Sequence, residues 1–485
     1  MTQPPGLGQR TVRSLAWNMA ASPVKMAIMF ARSILLANLL AIPGLFGDFA
    51  TAGSIVVVTS VIAGLGIDGA FLNRTAETED EAEAANVLFT LKALACAVWA
   101  VVLIAGAYAF ASGITRFFLV GLTLTRAASI FLDTPRVILT RRVVHRRLVL
   151  ADGIELVGSA IVSVLLALNG ARGWALLGGE VAAVLISGTA LMLWRPFWRP
   201  RWRLRPDIVR YYLGFGRRTV PARLLMVGTD RLDDLWTRAV LGAPALGLYS
   251  RAYRFAIYPR NFLVGPLTSV VRGTYAELKD DRVRLSAAFK AATTALVTTG
   301  FLFSGGLILT APEIVAFLLN PVWQPIVRPF QIMMFFTLAD PVRLKLSDML
   351  VSLGDPAPVL RSYIAQTVVL AIGLVALGPR WGIEGVAMAV NIMAVVGMVQ
   401  LARHVKRYVD TPLTPIWLAP AAACAGAAGI ALGVAAAVGP VRSVLLYGLL
   451  KGLTFAAAYV LLLGIVQRRT LLDLWAMIRP TLARR

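Results

Sequence analysis

The sequence predicts an all-α polytopic membrane protein with about fourteen transmembrane helices: two pseudo-symmetric six-helix lobes around a central cavity, plus two C-terminal helices. Of its 485 residues, 58% are hydrophobic and only 15% are charged, whereas soluble domains carry about 25% charged residues. Apolar runs long enough to cross the hydrocarbon core, which takes about 20 residues, recur along the chain. Basic residues cluster in alternate loops between these runs, a pattern typical of multi-pass proteins.

The apolar runs define the predicted spans. The first six cover residues 14–38, 48–71, 87–110, 114–134, 149–168 and 173–194. The next six cover residues 214–240, 247–272, 289–310, 326–350, 358–378 and 382–402, and a final pair covers 415–438 and 443–466. The corresponding domains are an N-terminal lobe (1–194), a basic linker (195–212), a C-terminal lobe (213–410), two extra helices (411–466) and a basic tail (467–485).

The loops predict the orientation of the protein. One set is rich in Lys and Arg and consists of residues 136–148, 194–206, 277–284 and 403–408 and the tail. The other set is short and nearly free of Lys and Arg, and consists of residues 38–47, 169–173, 241–247 and 378–382. Basic loops remain in the cytoplasm. We therefore expect a multi-pass membrane protein with both termini cytoplasmic.

An internal repeat relates the two predicted lobes. "AIPGLFGDFATA" (41–52) and "GAPALGLYSRA" (242–252) align with one gap at Pro, Leu, Gly and an aromatic residue. Each copy joins the first two spans of a six-span group, so both copies enter the membrane in the same sense. In transporters, substrate sites lie at the interface between such repeats.

Charged and polar residues inside the spans are the candidate functional residues, because an ionised side chain at mid-bilayer costs about 2.5–3.5 kcal/mol. Helical spacing places them in stripes. The first span carries Asn18, Lys25 and Arg32 at intervals of seven, and the fourth carries Arg126 and Asp133. The seventh span carries Arg223, Asp230, Asp233, Asp234 and Arg238, and the eighth carries Arg251, Arg254 and Tyr258.

Two roles remain open for these side chains. One group can either form structural ion pairs or couple transport to an ion; it consists of Asp133, Asp230, Asp233, Asp234 and Arg238. Asp234 and Arg238 lie four residues apart, which is the spacing of a helical ion pair. The neighbours of Lys25, Arg32, Arg251 and Arg254 on their own helices offer few acids, which predicts surplus positive charge. Since arginine binds phosphate through two parallel donors, we expect the remaining candidates to line a cavity for an anionic substrate.

Other chemistries find little support in the sequence. The net charge of +23 comes from loop residues, so we expect membrane contact and no nucleic acid. The two cysteines lie in separate apolar runs and the two histidines in basic loops, so no metal or cofactor is predicted. No nucleotide-binding lysine motif is present, and "GLGIDG" (64–69) lies within an apolar span. The Trp- and Arg-rich linker predicts anchoring at lipid headgroups, with a role in substrate binding as the alternative.

Five stretches of the sequence carry a resemblance to a known family: "LGAPALGLYSRAYRFAIYP", "AELKDDRVRLSAAFKAA", "PEIVAFLLNPVWQP", "WGIEGVAMAV" and the N-terminal "LLAIPGLFGDFATAGSIVVVTSVIAGLGIDGAFL". Together they resemble polysaccharide-transporter flippases of the multidrug/oligosaccharidyl-lipid/polysaccharide superfamily. The resemblance covers roughly residues 10–410. It implies a flippase rather than an enzyme. Such a flippase moves an undecaprenyl-diphosphate-linked oligosaccharide from the cytoplasmic to the periplasmic leaflet of the bacterial inner membrane, for exopolysaccharide, capsule or O-antigen assembly.

The resemblance also implies partners and leaves alternatives. A polysaccharide polymerase and a chain-length regulator of the same pathway are candidate partners, and a coupling ion is a candidate energy source. A peptidoglycan-precursor flippase and a drug/cation antiporter of the same superfamily are the nearest alternatives; the antiporter would need an acidic cavity. A polysaccharide polymerase or ligase is the alternative from the enzyme class, although the short periplasmic loops disfavour it.

Overall fold

The computed structural model describes residues 7–73, 80–142, 144–192, 197–278, 280–411, 413–439 and 442–467, without the side chains of residues 7–22, 145, 262–274, 276 and 413. The side chain of Asn18, and all but the first residue of the predicted basic tail, lie outside this description. The described residues form fifteen α-helices and one short 3-10 helix. This confirms the predicted all-α fold class.

The helices of the first half begin with the long α1. They are α1 (Leu7–Leu40), α2 (Pro43–Ala63), α3 (Asp68–Asn73), α4 (Glu81–Phe110), α5 (Gly113–Leu132), α6 (Thr134–Arg141), α7 (His145–Leu168), α8 (Arg172–Met192) and α9 (Pro206–Leu241). The short helices α3 and α6 were not predicted. In particular, the stretch 136–148, predicted to be a loop, is mostly helical, because α6 continues from the end of α5 and α7 begins at His145.

The second half contains longer helices. They are α10 (Ala243–Glu277), α11 (Arg282–Leu318), the 3-10 helix Pro321–Ile326, α12 (Val327–Ser352), α13 (Ala357–Val405), α14 (Leu413–Val438) and α15 (Val444–Val466). At 49 residues, α13 would extend about 74 Å if straight, about two and a half times the thickness of a hydrocarbon core. Gly382 interrupts it with φ 55°, a left-handed conformation that glycine adopts without steric cost. The two parts correspond to the predicted eleventh and twelfth spans.

The count of membrane crossings agrees with the prediction. Within the described chain, ten helices are long and apolar enough to span a membrane by length and composition, and α13 is one of them. The other three long helices, α9, α10 and α12, do not meet that criterion because each carries many charged residues. With α13 counted as two crossings and these three added, the multi-pass protein has about fourteen.

Helix starts follow local sequence signals. The Asp80 carboxylate accepts a hydrogen bond from the Ala82 amide and caps α4, and Glu81 and Glu83 follow in its first turn. Asp281 caps α11 in the same way through the Arg284 amide. Carboxylates at these positions satisfy free amides and complement the positive end of the helix dipole.

The chain packs as two compact units, Met1–Gly247 and Leu248–Arg485. In the first unit, α7 packs along α8, and α2 packs against α5 and α9. In the second unit, α12 packs along α13, and α11, α14 and α15 pack together around buried small and aromatic residues. The predicted domain boundaries at residues 194, 212, 410 and 466 stay a prediction.

The two copies of the repeat approach each other closely within the first unit. A methyl group placed on Gly47 would overlap the carbonyl oxygen of Ala243, and one placed on Gly247 would overlap that of Pro43. Each repeat therefore contributes a glycine whose missing side chain lets the first turns of α2 and α10 touch through their backbones. The aligned glycines thus have a reciprocal packing role.

The Trp- and Arg-rich linker is an extended strap on α4. The amide of Arg201 donates to the Asn86 side chain (3.1 Å), and the amide of Arg203 donates to the Thr90 hydroxyl (2.9 Å). Two extended residues advance about 6.6 Å and one helical turn about 5.4 Å, so the two bonds fit together. Anchoring of this strap to lipid stays a prediction.

Candidate functional site

A cavity of about 220 Å³ lies inside the first unit. It is lined by one wall of α2, the turn that leads into α3, and facing residues of α4, α5 and α9. Its charged and hydroxylated lining residues are Ser60, Asp68, Lys92, Arg126, Ser129, Asp133 and Arg223. The structure therefore brings together three of the predicted site residues, Arg126, Asp133 and Arg223.

Lys92 is the central cation of this cavity wall. Its ammonium donates to the carboxylate of Asp68 at 2.9 Å and to that of Asp133 at 3.3 Å. The Lys92 side chain is only 3% exposed, whereas the carboxylates are 34% and 32% exposed. The lysine thus lies behind two acids that face the cavity and offsets one of their two negative charges.

Arg126 and Arg223 open onto the same cavity with few partners. Arg126 donates to the Ser60 hydroxyl at 3.3 Å, and both arginines are exposed. In the part of the chain that the structure describes, neither forms an ion pair. Each guanidinium therefore retains donors that can bind a phosphate or carboxylate group.

A second cavity of about 440 Å³ adjoins the first and shares Arg126, Ser129 and Asp133 with it. Arg136 is its central cation: it bonds Asp152 at 2.6 Å and the Ser187 hydroxyl at 3.0 Å, and lies 3.6 Å from Asp133 and 3.5 Å from Glu155. Acidic residues outnumber basic ones in the lining of this second cavity, whereas basic residues outnumber acidic ones in the lining of the first.

The prediction of surplus positive charge on α1 is wrong for its two described cations. Lys25 bonds Asp152 at 3.2 Å, and Arg32 lies 3.4 Å from Glu180. These acids come from α7 and α8, more than 120 residues away in the chain, so inspection of α1 alone missed them. Whether Lys25 and Arg32 also contact substrate stays a prediction.

Two charged residues of α9 that lie outside the cavity lining form hydrogen bonds to α2. Asp234 is buried and accepts from the Ser54 hydroxyl at 2.7 Å and from Arg231 at 3.3 Å. Arg238 donates to the carboxylate of Asp48 at 3.1 Å. Asp234 is thus paired within its own helix with Arg231, whereas Arg238, the partner suggested by the helical spacing, is paired with Asp48 of α2.

Asp48 is also held by α5, and the remaining acids of α9 differ in exposure. The Thr115 hydroxyl donates to the same Asp48 oxygen at 2.8 Å. On α9, Asp233 is buried and Asp230 is exposed. Asp48 therefore joins α2, α5 and α9, while a role of Asp230 or Asp233 in ion coupling stays a prediction.

The second unit contains the candidates on α10. Arg254 is exposed and forms no ion pair with described residues. Arg251 is buried at 3% exposure, with its guanidinium 5.3 Å from the ring centre of Trp323. Tyr258 is half-buried. Their assignment to a substrate cavity stays a prediction, and Arg254 is the candidate among them that is available to a ligand in this conformation.

A buried charge cluster in the second unit connects α10, α12 and α13. Asp340 is fully buried and accepts from both Arg260 and Arg343. Arg343 also donates to Gln366 at 3.0 Å, and the Gln366 amide donates to Ser362 at 2.9 Å. Each charged group of this cluster has a bonded partner; Asp340 and Arg343 are buried and Arg260 is half-buried, which fits a role in packing.

Sequence reasoning missed several residues of the first-unit network. Lys92, Asp152 and Glu180 were not selected, although each is an ionisable residue in an apolar helix, the signal that marks functional sites in membrane spans. Arg136 was assigned to a loop because it lies in a basic segment. The spacing of Asp152 and Glu155, three residues apart on one helical face, was a further usable signal.

Solved structures with a similar fold are membrane transporters. The structure of the lipid II flippase MurJ in an inward closed conformation superposes with a TM-score of 0.73 at 14% sequence identity. The superposition covers 93% of this chain and 98% of the MurJ chain. An inward-facing multidrug resistance MATE family transporter of the MOP superfamily has a TM-score of 0.63 at 14% identity and covers 79% and 95%. A MOP superfamily transporter from Pyrococcus furiosus has a TM-score of 0.50 at 14% identity and covers 83% and 96%. No curated protein sequence matches this chain.

The family model described as polysaccharide biosynthesis protein matches residues 19–328, well over half of the chain. This confirms the resemblance found in the sequence. The family model indicates a part in polysaccharide biosynthesis, and the similarity to solved structures shows the fold. The protein belongs to the polysaccharide biosynthesis protein family and has the fold of the MurJ and MATE transporters.

Proposed function

We propose that this protein is a flippase that moves undecaprenyl-diphosphate-linked oligosaccharide repeat units from the cytoplasmic to the periplasmic leaflet of the bacterial inner membrane. One observation carries the proposal: Arg126 and Arg223 line a cavity within the first unit and form no ion pair with a described carboxylate. Two guanidinium groups in a low-dielectric cavity attract a diphosphate, and arginine suits its geometry. Membership of a polysaccharide biosynthesis family supports a glycan as the remainder of the substrate.

The mechanism we propose is alternating access. The cavity is lined by Val57 to Gly64 of α2 and by Arg223 and Val227 of α9. Further along the same two helices, Ser54 bonds Asp234 and Asp48 bonds Arg238. These bonds close α2 onto α9 at one end of the cavity, so their rupture is the step we expect to open that end.

A peptidoglycan-precursor flippase is the second candidate. The specific observation in its favour is the TM-score of 0.73, over 93% of this chain, to the structure titled lipid II flippase. Both candidates carry a diphosphate, so the cavity charges fit either. A drug/cation antiporter fits less well, since arginines open to a cavity repel cationic drugs.

The function is tested by deletion of the gene in its native bacterium. We expect loss of surface polysaccharide and accumulation of lipid-linked repeat units in the cytoplasmic leaflet, with restoration by wild-type protein but not by Arg126→Ala or Arg223→Ala. Arg282→Ala is the matched control, since that arginine is exposed and bonds Asp410 away from the cavity. Normal polymer in the deletion strain would refute the proposal; rescue of cells depleted of their lipid II flippase would favour the second candidate.

The same proposal includes a role for Arg254, which is exposed on α10. We expect Arg254→Ala to abolish export while the protein accumulates normally in the membrane. Arg254→Lys separates two explanations: a partial defect indicates that charge suffices, and a full defect indicates that the two-pronged donor geometry is required. Export at the wild-type rate by both variants would remove Arg254 from the proposed substrate path. A polymerase, a chain-length regulator and a coupling ion remain the proposed partners.

A further inference from the structure

The arginine-bearing cavity has an unexplained feature: two carboxylates lie in the wall of a site proposed for an anion. Asp68 and Asp133 are each about one-third exposed to the cavity. An unneutralised carboxylate repels a phosphate. It also attracts any free arginine nearby, and Arg126 and Arg223 line the same cavity. Something must hold these acids if the arginines are to remain available.

Lys92 has the position needed to do this. Its ammonium bonds both carboxylates, at 2.9 Å and 3.3 Å, and the residue is 2% exposed. Burial of an ammonium without counter-charges is costly. The two carboxylates therefore also stabilise Lys92 in its buried position. Lys92 lines the same cavity, but its side chain is only 3% exposed and its ammonium is bonded to both acids, whereas Arg126 and Arg223 are exposed.

Asp133 has two other cations nearby. Arg136 lies 3.6 Å from it but is also paired with Asp152 and Glu155, and Arg126 lies on the helix that ends at Asp133. Arg126 and Asp133 are seven residues apart, which places them on one helical face about 10.5 Å apart along the axis. Both side chains extend into the same cavity. Without Lys92, the carboxylate of Asp133 therefore has Arg126 as a cation to turn to, and an arginine paired in this way no longer offers its donors to a ligand.

Charge counting supports the same conclusion. The cavity lining holds three cations, Lys92, Arg126 and Arg223, and two acids, Asp68 and Asp133. Removal of Lys92 leaves two cations against two acids, a neutral lining. Removal of Lys92 together with one acid restores the excess of one positive charge.

We propose that Lys92 is a positioning residue for anion recognition: by binding Asp68 and Asp133 it keeps Arg126 and Arg223 free for a diphosphate group. The inference rests on the proposed function only for the identity of the natural substrate. The Asp–Lys–Asp arrangement makes the cavity selective for an anion although acids line it, and the lysine acts without touching the ligand.

The test measures binding of inorganic pyrophosphate by calorimetry to the full-length protein in nanodiscs of neutral phosphatidylcholine. We expect Lys92→Met to weaken binding at least about tenfold, as loss of one partner of a buried charge pair does. Lys92→Met combined with Asp133→Asn should return binding to within about threefold of wild type, because the charge excess is restored. Asp133→Asn alone should bind at least as tightly as wild type, and Lys92→Arg should resemble wild type.

A matched control separates this role from a purely structural one. Lys451 is a half-buried lysine, bonded to Glu313 at 2.6 Å in the second unit; Lys451→Met should leave pyrophosphate binding unchanged. Thermal unfolding of every variant reports folding. Weak binding by the double variant, with unfolding like that of Lys92→Met, would overturn the inference.

The outcomes also separate this inference from the proposed function. If wild type does not bind pyrophosphate, the cavity is not an anion site and the inference is wrong. If Asp133→Asn rescues Lys92→Met in the binding assay but the deletion strain makes normal polymer, the inference stands and the proposed function fails. If the deletion strain loses polymer and the rescue fails, the proposed function stands without a role for Lys92.

Discussion

The two units use the same chemical groups in opposite proportions. In the first, one buried lysine is shared by two acids, Asp68 and Asp133, that face a cavity. In the second, one fully buried acid, Asp340, is shared by Arg260 and Arg343. The first arrangement leaves other cations open on the cavity wall, whereas the second encloses its charge among bonded partners. A charge inside a membrane helix is therefore no guide to function until its partners and its exposure are known.

The largest effect is expected where this difference is sharpest, at Asp340. Asp340→Ala leaves two arginines of α10 and α12 without their shared counter-charge, and removal of one member of a buried ion pair costs about 3–5 kcal/mol. We expect the thermal unfolding midpoint in detergent to fall sharply and the amount of protein in the membrane to drop.

Asp133→Ala is the matched control in the first unit. Its carboxylate is about one-third exposed, and Lys92 keeps Asp68 as a partner, so we expect a loss of only about 1 kcal/mol. Equal destabilisation by the two variants would show that the cavity acids are structural in the same sense as Asp340, and the comparison would fail.

The second prediction concerns the open cations. Because Arg126 and Arg223 make no ion pair among the described residues, the double variant Arg126→Gln, Arg223→Gln removes no stabilising pair. We expect polymer export to fall to the level of the deletion strain while the unfolding midpoint stays within the range of surface variants, about 0.5 kcal/mol. Export and unfolding are measured on the same preparations. A large loss of stability would assign these arginines to packing instead.

The third prediction addresses Asp48, an acid of the first unit outside the cavity. It accepts from Arg238 and Thr115, and its side chain is 13% exposed. Asp48→Asn keeps the shape and loses the charge, so we expect destabilisation of about 1–2 kcal/mol and a shift of the transport equilibrium towards the state in which α2 and α9 separate. Accessibility of a cysteine placed at Ser54 to a membrane-impermeant thiol reagent measures that shift. No change in accessibility would remove this bond from the opening step.

The smallest effect is expected for the exposed pair of Arg282 and Asp410. Both side chains are more than half exposed, at 54% and 71%, although the two charged atoms lie 2.7 Å apart. Exposed pairs contribute about 0.2–1 kcal/mol. Arg282→Gln should therefore change the unfolding midpoint little and export not at all. A large effect would mean that the distance between the charged atoms alone determines how much an ion pair stabilises the protein. Exposure would then not matter, contrary to the comparison of the two units.

The fold was largely predictable because its signals are local. Apolar run length predicted the crossings, and the structure has about fourteen, including α9, α10 and α12, whose charges lower their apolar character. The boundary regions were predicted less well. Arg136 was assigned to a loop because it begins a basic segment, but the helix α6 carries it to Asp152.

The candidate site was predictable only in part. Arg126, Asp133 and Arg223 were selected from the stripes on their own helices, and the structure brings them to one cavity. Their partners come from other helices: Lys92 lies 41 residues from Asp133 in the chain, and Asp152 lies 127 residues from Lys25. Helical periodicity relates residues within a turn or two of each other, so it carries no information about such pairs.

By itself, the sequence determined that this chain is a helical membrane protein with a duplicated hairpin, because hydropathy, loop charge and short repeats are properties of neighbouring residues. Only the tertiary structure decided which cations are matched and which are available: Lys25 and Arg32 have acids on α7 and α8, whereas Arg126 and Arg223 open onto a cavity. The physical reason is that the electrostatic energy of a charge depends on the distance to its counter-charges and on its exposure to solvent, and both are set by how distant helices pack.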